Sequence, residues 1–550
     1  GKFLIRACPL REYDPSFSSA FWDYNSAPSM CRQLIDTCIS LVRWDLKDPE
    51  NFVAGGYHRV GADTQQMCMQ INPKYGIHNN KCMQRIMRHQ ADVLAAYLRE
   101  RIERFGAQPV PLSREGAEVV IDRLSKTQSK AKIKRLRQVA DLIDWNAVAR
   151  MGLDSVPKNR ASIFIKAEGY PAGNKPPRLI VNPEEGEKLI MSMAFYHVMH
   201  PMFSSPYCTK ELPEHDRPYK IEERLGSGKK FVADYTSFEC VPNRTIMRLG
   251  EHRVLRQLIP SEYHFVFPWI ERGGTLTARN GIKVKTPAVQ YSGRYTTSLC
   301  NTIRNKLLMD CVAEYLHAEY RGVFEGDDSL TCWYSEVEKS QIVDALGKLG
   351  VMAEIDEVEK FGHAGYCSMY WNDDYELVCE PLKVISTFPF SQSALAANPS
   401  NVSLLLSSKA MSLAYRSPGC PIIWAICKKY IQSKGLMETR NDYERRWFKE
   451  FTQISKRHGG TRSKNIEQVT FCSWELVRPP TTTQRQMFEE IFGIDLPSQI
   501  AAEDEILRSE GFSELLLEYL RPAQAKSGLN IDEAKQIYWD MRTRAMQFSH

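Results

Sequence analysis

The 550-residue chain contains no run of 18 or more apolar residues, so no stretch of it reads as a bilayer-spanning helix. It contains no Cys-x2-Cys pair among its 15 cysteines. Their scatter and odd count point to reduced thiols in a cytosolic setting, and away from a disulfide framework or a zinc site. There is no internal repeat and no low-complexity segment. A signal-peptide pattern is missing, as is an initiator Met, which is the expectation for a fragment or a processed polypeptide. Strong charge of one sign is absent too. A net charge of +6 suits a basic channel beside an acidic centre better than a uniformly basic coat. The length amounts to several domains, and 43% hydrophobic residues allow sizeable cores.

Against that background stands Gly326-Asp327-Asp328, inside Val323-Phe324-Glu325-Gly326-Asp327-Asp328-Ser329-Leu330-Thr331-Cys332-Trp333-Tyr334. Two short apolar runs flank a tight acidic turn, the pattern of a β-hairpin. Adjacent carboxylates repel one another unless a cation lies between them. A solvated surface turn would carry the same three residues, and alone the tripeptide decides little.

Two further blocks lie upstream. In Phe231-Val232-Ala233-Asp234-Tyr235-Thr236-Ser237-Phe238-Glu239 an apolar run ends in Asp234, and Glu239 follows five positions later. If this strand neighbours the hairpin, Asp234 faces Asp327 and Asp328. Carboxylates so placed can hold hard divalent ions, and two ions ~3.5–4 Å apart drive in-line phosphoryl displacement. A strand end with incidental acids is the bland alternative. The other block is Ser292-Gly293-Arg294-Tyr295-Thr296-Thr297-Ser298-Leu299-Cys300-Asn301. On a helix Thr297 and Asn301 share a face, and a Ser-Gly loop leading into it offers hydroxyl and amide groups suited to a ribose. A helix cap would explain Ser292 but not the alignment of Thr297 with Asn301.

The order Asp-x4-acid, Ser-Gly-x3-Thr-x3-Asn, Gly-Asp-Asp resembles the RNA-directed RNA polymerases of positive-strand RNA viruses. Phe164-Ile165-Lys166-Ala167-Glu168 and Lys175-Pro176-Pro177-Arg178-Leu179-Ile180-Val181 resemble the basic fingers motif of that family. Tyr366-Cys367-Ser368 and Glu380-Pro381-Leu382-Lys383 resemble the primer-grip region of its flavivirus-like and tombusvirus-like branch. The resemblance spans Phe164 to Lys383. Two positions depart from it: Glu239 stands where the family usually has Asp, and Gln290 where many tombusvirus-like relatives have Arg or Lys.

The fold expected is α+β, a right-hand polymerase with an antiparallel palm sheet backed by helices and a mainly helical thumb. The expected boundaries are fingers over 1–220, palm over 221–263 and 291–386, a finger insertion over 264–290, and thumb with C-terminal extension over 387–550. Periodicity predicts helices from about Cys82 to Phe105 and Lys130 to Ile143. Met83, Ile86, Met87, Leu94, Leu98, Ile102 and Phe105 form the buried stripe of the first. Further helices are expected over about Asn243 to Ile259, Ser340 to Gly350, Ser403 to Ala414 and Ile422 to Gln432, a strand over Val351 to Val358, and a last helix carrying Tyr538 and Trp539. Thr275 to Val284, with Asn280-Gly281 at its centre, reads as a hairpin. Gly226-Ser227-Gly228-Lys229-Lys230 is similar to a phosphate-binding loop, but it precedes a strand and lacks the Ser or Thr after the lysine. It reads as a turn.

The resemblance implies template-directed nucleotidyl transfer to an RNA 3′-hydroxyl, using two Mg²⁺ or Mn²⁺ ions held by Asp234, Asp327 and Asp328. Lys166, Lys175 and Arg178 would meet the triphosphate, Arg178 through a bidentate fork. Glu239, Ser292, Gly293, Thr297 and Asn301 would form the ribose pocket. Lys360 is the candidate general acid for pyrophosphate, with Lys348 as a rival. RNA would contact Cys367, Ser368 and the basic run containing Lys130, Lys132, Lys134 and Arg135, a run that a solvated helix face explains equally well. Partners are template and nascent RNA, ribonucleoside triphosphates and other viral replication proteins. The expected location is host cytoplasm, at membrane-associated replication sites reached through other segments or partners. A reverse transcriptase and a non-catalytic RNA-binding protein of polymerase fold are the rival readings.

Overall fold

The computed structural model describes residues 4–6, 53–55, 58–59, 76–125, 128, 130–156, 161–165, 179–235, 238, 244–278, 283–286, 290–388, 399–432, 476–509, 514–527, 531–532 and 535. In chain order its strands are β1 (Leu4–Arg6), β2 (Val53–Gly55), β3 (His58–Arg59), β4 (Ala161–Ile165), β5 (Leu179–Asn182), β6 (Lys229–Tyr235) and β7 (Gly274–Ala278). Then come β8 (Lys283–Thr286), β9 (Tyr320–Glu325), β10 (Asp328–Trp333), β11 (Ala353–Val358), β12 (Tyr370–Trp371) and β13 (Leu377–Val378). Its helices include α1 (Lys81–Arg104), α2 (Glu185–Phe203), α3 (Thr297–Leu316) and α4 (Lys339–Leu349). Helix and antiparallel sheet together make the chain α+β.

The chain divides into two compact units, one of residues 1–166, 176–210 and 227–357, the other of 167–175, 211–226 and 358–550. The first unit holds a four-stranded sheet in the order β11-β6-β10-β9, with β10 antiparallel to both neighbours. On β6 the residues Phe231, Ala233 and Tyr235 are buried, while Asp234 between them is exposed. This alternation is what a pleated strand with one covered face produces. The outer edge of β9 is occupied by the segment around Cys208, which bridges to Phe324 and accepts its backbone N–H through Tyr207; a covered edge resists unwanted pairing.

Helices α2 and α3 are buried on nearly every side, so neither shows the one-sided apolar stripe of a surface helix. Helix α1 does show it, through Met83, Ile86, Met87, Leu94 and Leu98. The expected stripe ends before Phe105, which is the C-cap residue, 45% exposed, with its ring edge against His200. The single helix expected over Asn243 to Ile259 is two, Arg244–Leu249 and Glu251–Arg256. Gly250 breaks it at φ −100°, ψ −111°, a non-helical backbone where a Cβ would lie 2.9 Å from the Ile246 carbonyl oxygen.

A seven-stranded sheet, β3-β2-β1-β8-β7-β4-β5, completes the described part of this unit. The expected hairpin is β7 paired antiparallel with β8, and β7 also runs parallel to β4; its Asn280-Gly281 turn lies outside the described residues. The Gly226–Lys230 loop is a turn feeding β6, as its sequence implies, with Gly226 at φ +66°.

The second unit has its own apolar core, formed by the helices Pro381–Thr387, Pro399–Arg416, Ile423–Gln432, Thr482–Phe492 and Leu496–Arg508 with the β12–β13 ribbon. The expected helix around Tyr538 and Trp539 lies outside the described residues. Among the described residues no helix is long and apolar enough to cross a membrane.

Candidate active site

β9 and β10 are joined by a two-residue turn, since Glu325 pairs with Asp328 across the ladder. Gly326 takes the first turn position at φ +69°, and Asp327 has no positive φ. Two-residue hairpins favour glycine there because the turn must match the right-handed twist of its strands. Ser329 pairs with Ala233. The register therefore sets Asp328 and Asp234, the next residue on each strand, abreast on neighbouring strands. Asp234, Asp327 and Asp328 are all exposed. The sequence-predicted acids thus meet at one end of one sheet.

Their donor chemistry, carboxylate oxygen from adjacent backbone positions, suits a hard divalent cation. Among the described residues no three His, Cys, Asp or Glu side chains are gathered closely enough to hold an ion. The backbone positions of Asp234 and Asp328 adjoin, while the three carboxylates stand apart. Glu239 lies outside the described residues.

The acidic turn is held from below by α3. Asn305, fully buried, donates from Nδ2 to the carbonyl oxygens of Gly326, Asp327 and Asp328 at 3.2, 2.9 and 3.2 Å. Its Oδ1 accepts from the Tyr235 hydroxyl at 2.9 Å. Burial holds the Tyr235 phenol well above its ordinary pKa, so it stays a donor. Thr302 Oγ1 accepts the Gly326 N–H at 3.0 Å. None of these residues stood out in the sequence. A signal was present: Asn301, Thr302, Arg304, Asn305, Lys306 and Asp310 interrupt the apolar stretch from Leu299 to Val312, and buried polar groups need partners.

Arg304 and Glu251 form a fully buried ion pair at 2.6 Å, and Arg304 also donates to Asn301 Oδ1 at 3.0 Å. Thr297 and Asn301 both belong to α3. The Thr297 hydroxyl donates within its own loop, 2.5 Å from the carbonyl of Tyr291 and 2.9 Å from that of Arg294, and Gln290 donates to it at 3.2 Å. Ser292 Oγ accepts the Val181 N–H at 3.1 Å, and Gly293 donates its N–H to the Val181 carbonyl at 2.8 Å. A Cβ at Gly293 would lie 2.5 Å from that carbonyl oxygen, which is why glycine is needed there. Arg294 anchors the loop from the other side, paired with buried Glu187 at 2.9 Å and stacked on Tyr291.

These contacts join the Ser-Gly loop to β5, the strand that begins directly after Arg178. Lys166, Lys175 and Arg178 themselves lie outside the described residues; the strands bracketing them are paired, Phe164 opposite Ile180. In the basic run, Lys132 is salt-bridged to Glu185, while Lys130, Lys134 and Arg135 are exposed on the helix Lys130–Leu142. Lys360, Cys367 and Ser368 belong to the second unit. Lys360 Nζ is 3.4 Å from Asp373, and both side chains are exposed. Cys367 and Ser368 lie in a tight segment with φ of +52° and +58°, and Arg416 donates to both of their carbonyls at 3.2 and 3.3 Å. Lys348 is a surface lysine of α4 paired with Asp344.

Paired strands ending in acids, and a helix that ties a Ser-Gly loop to the acidic turn, bring three of the sequence-predicted blocks into one unit. Residues 229–357 match the family model of viral RNA-directed RNA polymerase, a stretch containing β6, α3, the β9–β10 hairpin and β11. The match supports a viral RNA-directed RNA polymerase, a nucleotidyltransferase. No curated protein matches the chain.

Proposed function

We propose that the chain copies an RNA template by two-metal nucleotidyl transfer and so replicates a viral RNA genome, within a right-hand polymerase fold of the flavivirus-like and tombusvirus-like branch. The observation that carries this reading is the register that sets Asp234 beside Asp328, one residue from Asp327, with the turn clasped by α3. Asp234, Asp327 and Asp328 would hold Mg²⁺ or Mn²⁺, which when bound lowers the pKa of an attacking hydroxyl and steadies the leaving pyrophosphate.

The remaining work falls to the chain's own groups. Lys166, Lys175 and Arg178 bind the triphosphate of the incoming nucleotide. Glu239, Asn301 and the Ser292–Gly293 loop orient its ribose, with Thr297 holding that loop in shape. Lys360 gives a proton to pyrophosphate. Cys367, Ser368 and the exposed part of the basic helix contact RNA. The work takes place in host cytoplasm with other viral replication proteins, at membrane sites those partners supply.

The test is extension on a short RNA template with ribo- or deoxyribonucleoside triphosphates, with Mg²⁺, with Mn²⁺ and with chelator. Metal-dependent ribonucleotide incorporation is expected. Preferential use of deoxynucleotides would indicate a reverse transcriptase, and RNA binding without incorporation a non-catalytic protein.

A further inference from the structure

Asn305 hydrogen-bonds to both acid-bearing segments of the palm sheet. Its Nδ2 faces three consecutive carbonyls of the Gly326–Asp328 turn at 2.9–3.2 Å, and its Oδ1 accepts a hydrogen bond from the hydroxyl of Tyr235, the residue after Asp234. One helical turn earlier, Thr302 accepts the Gly326 N–H and passes its own proton to the Ser298 carbonyl at 2.8 Å. The β-ladder cannot do this work alone. It pairs Asp328 with Glu325 and leaves Gly326 and Asp327 beyond the last rung.

The choice of side chain is narrow. A carboxamide donates from one end and accepts at the other. Aspartate, of the same shape, would press a negative oxygen against three carbonyls, and an apolar residue would remove a hydrogen-bond partner from those carbonyls and from a buried hydroxyl. Asn305 lies beneath the turn, in the core, so it acts on the reaction only through the groups it holds.

We propose that Asn305 is a positioning residue for the catalytic turn, fixing Asp327 and Asp328 relative to Asp234 by tying the turn to Tyr235. The proposal rests on the chain acting as a polymerase.

Two variants test it, Asn305→Asp and Tyr235→Phe, with nucleotide incorporation, RNA affinity and amide hydrogen exchange of the Gly326–Asp328 segment measured for each. For Asn305→Asp, kcat should fall by about 100-fold near neutral pH, the scale of a misplaced reacting group, while KM for nucleotides and RNA affinity stay within about twofold of wild type. Exchange should quicken at residues 326–328 and stay unchanged in the middle of β6 and β10. Tyr235→Phe keeps the ring and loses the hydroxyl that orients the amide; kcat should fall about tenfold, again without change in KM.

Wild-type kcat and exchange in Tyr235→Phe would overturn the proposal. So would an Asn305→Asp deficit that comes with faster exchange across the whole sheet, because that pattern marks a purely structural residue. If the wild type incorporates nothing, the polymerase reading fails, and local quickening at 326–328 in the variants still decides whether Asn305 holds the turn.

Discussion

Single side chains set both the stability and the selectivity expected of this site. Glu251 and Arg304 are buried as a pair, with 0% and 1% of their side chains exposed. Removing one partner leaves an uncompensated charge in the core, at a cost of roughly 3–5 kcal/mol. Glu251→Ala should lower the denaturant midpoint accordingly with an unchanged slope, and Glu251→Gln should lower it less because a hydrogen bond to Arg304 survives. An unchanged midpoint in Glu251→Ala would show that the pair is not closed off from water. Selectivity is assigned to Glu239, the residue that departs from the family's habit. A charged acceptor that loses its 2′-hydroxyl donor costs ~1–3 kcal/mol or more, about tenfold in kcat/KM per 1.4 kcal/mol. Glu239→Ala should therefore narrow the ratio of kcat/KM for ATP over dATP more than it lowers total synthesis. An unchanged ratio would leave Glu239 a structural role only. At this scale the sequence displayed the acids and the Ser-Gly block, because their chemistry is written in residue type. It did not display Asn305, Thr302 or Tyr235, whose partners are 21 to 70 positions away and become visible only once α3 lies beneath the hairpin.

Elements carry the coupling between these side chains. The hairpin, the strand bearing Asp234 and the helix after Ser292-Gly293 were all legible, since alternation and a two-residue turn mark strands and a Ser-Gly start marks a helix entry. The helix over Asn243 to Ile259 was legible in type but not in continuity: its apolar spacing runs on through Gly250, whereas the backbone leaves the helical region there, with no room for a Cβ beside the Ile246 carbonyl. The Ser292–Gly293 loop couples two such elements. The Ser292 hydroxyl and the Gly293 N–H both bond to Val181, which ties the loop to the strand after Arg178. Gly293→Ala inserts a Cβ 2.5 Å from the Val181 carbonyl oxygen and should break that docking. The expected result is a stability loss of about 1–3 kcal/mol, with KM for nucleotides raised and RNA affinity retained. Crystals or exchange data showing the loop still seated on β5 in that variant would contradict the assignment.

For the whole molecule, the family match over 229–357 covers the stretch of the first unit that carries the acidic hairpin, and the second unit has its own helical core. Over 160 residues come after Thr387, generous for an RNA clamp. Its size motivates the prediction that synthesis starts on an unprimed single-stranded template; a strict primer requirement across several templates, with Mg²⁺ and with Mn²⁺, would refute it. RNA affinity should fall steeply with added salt, since phosphate contacts dominate such binding. The central claim, that the acids at the end of the palm sheet perform the chemistry and the basic surfaces bind the RNA, is tested most directly by measuring incorporation and RNA affinity side by side for the wild type, Asp234→Ala and Asp327→Ala. The account predicts that each substitution abolishes incorporation and leaves RNA affinity and its salt dependence unchanged; more than a few per cent of wild-type incorporation in either variant would contradict it.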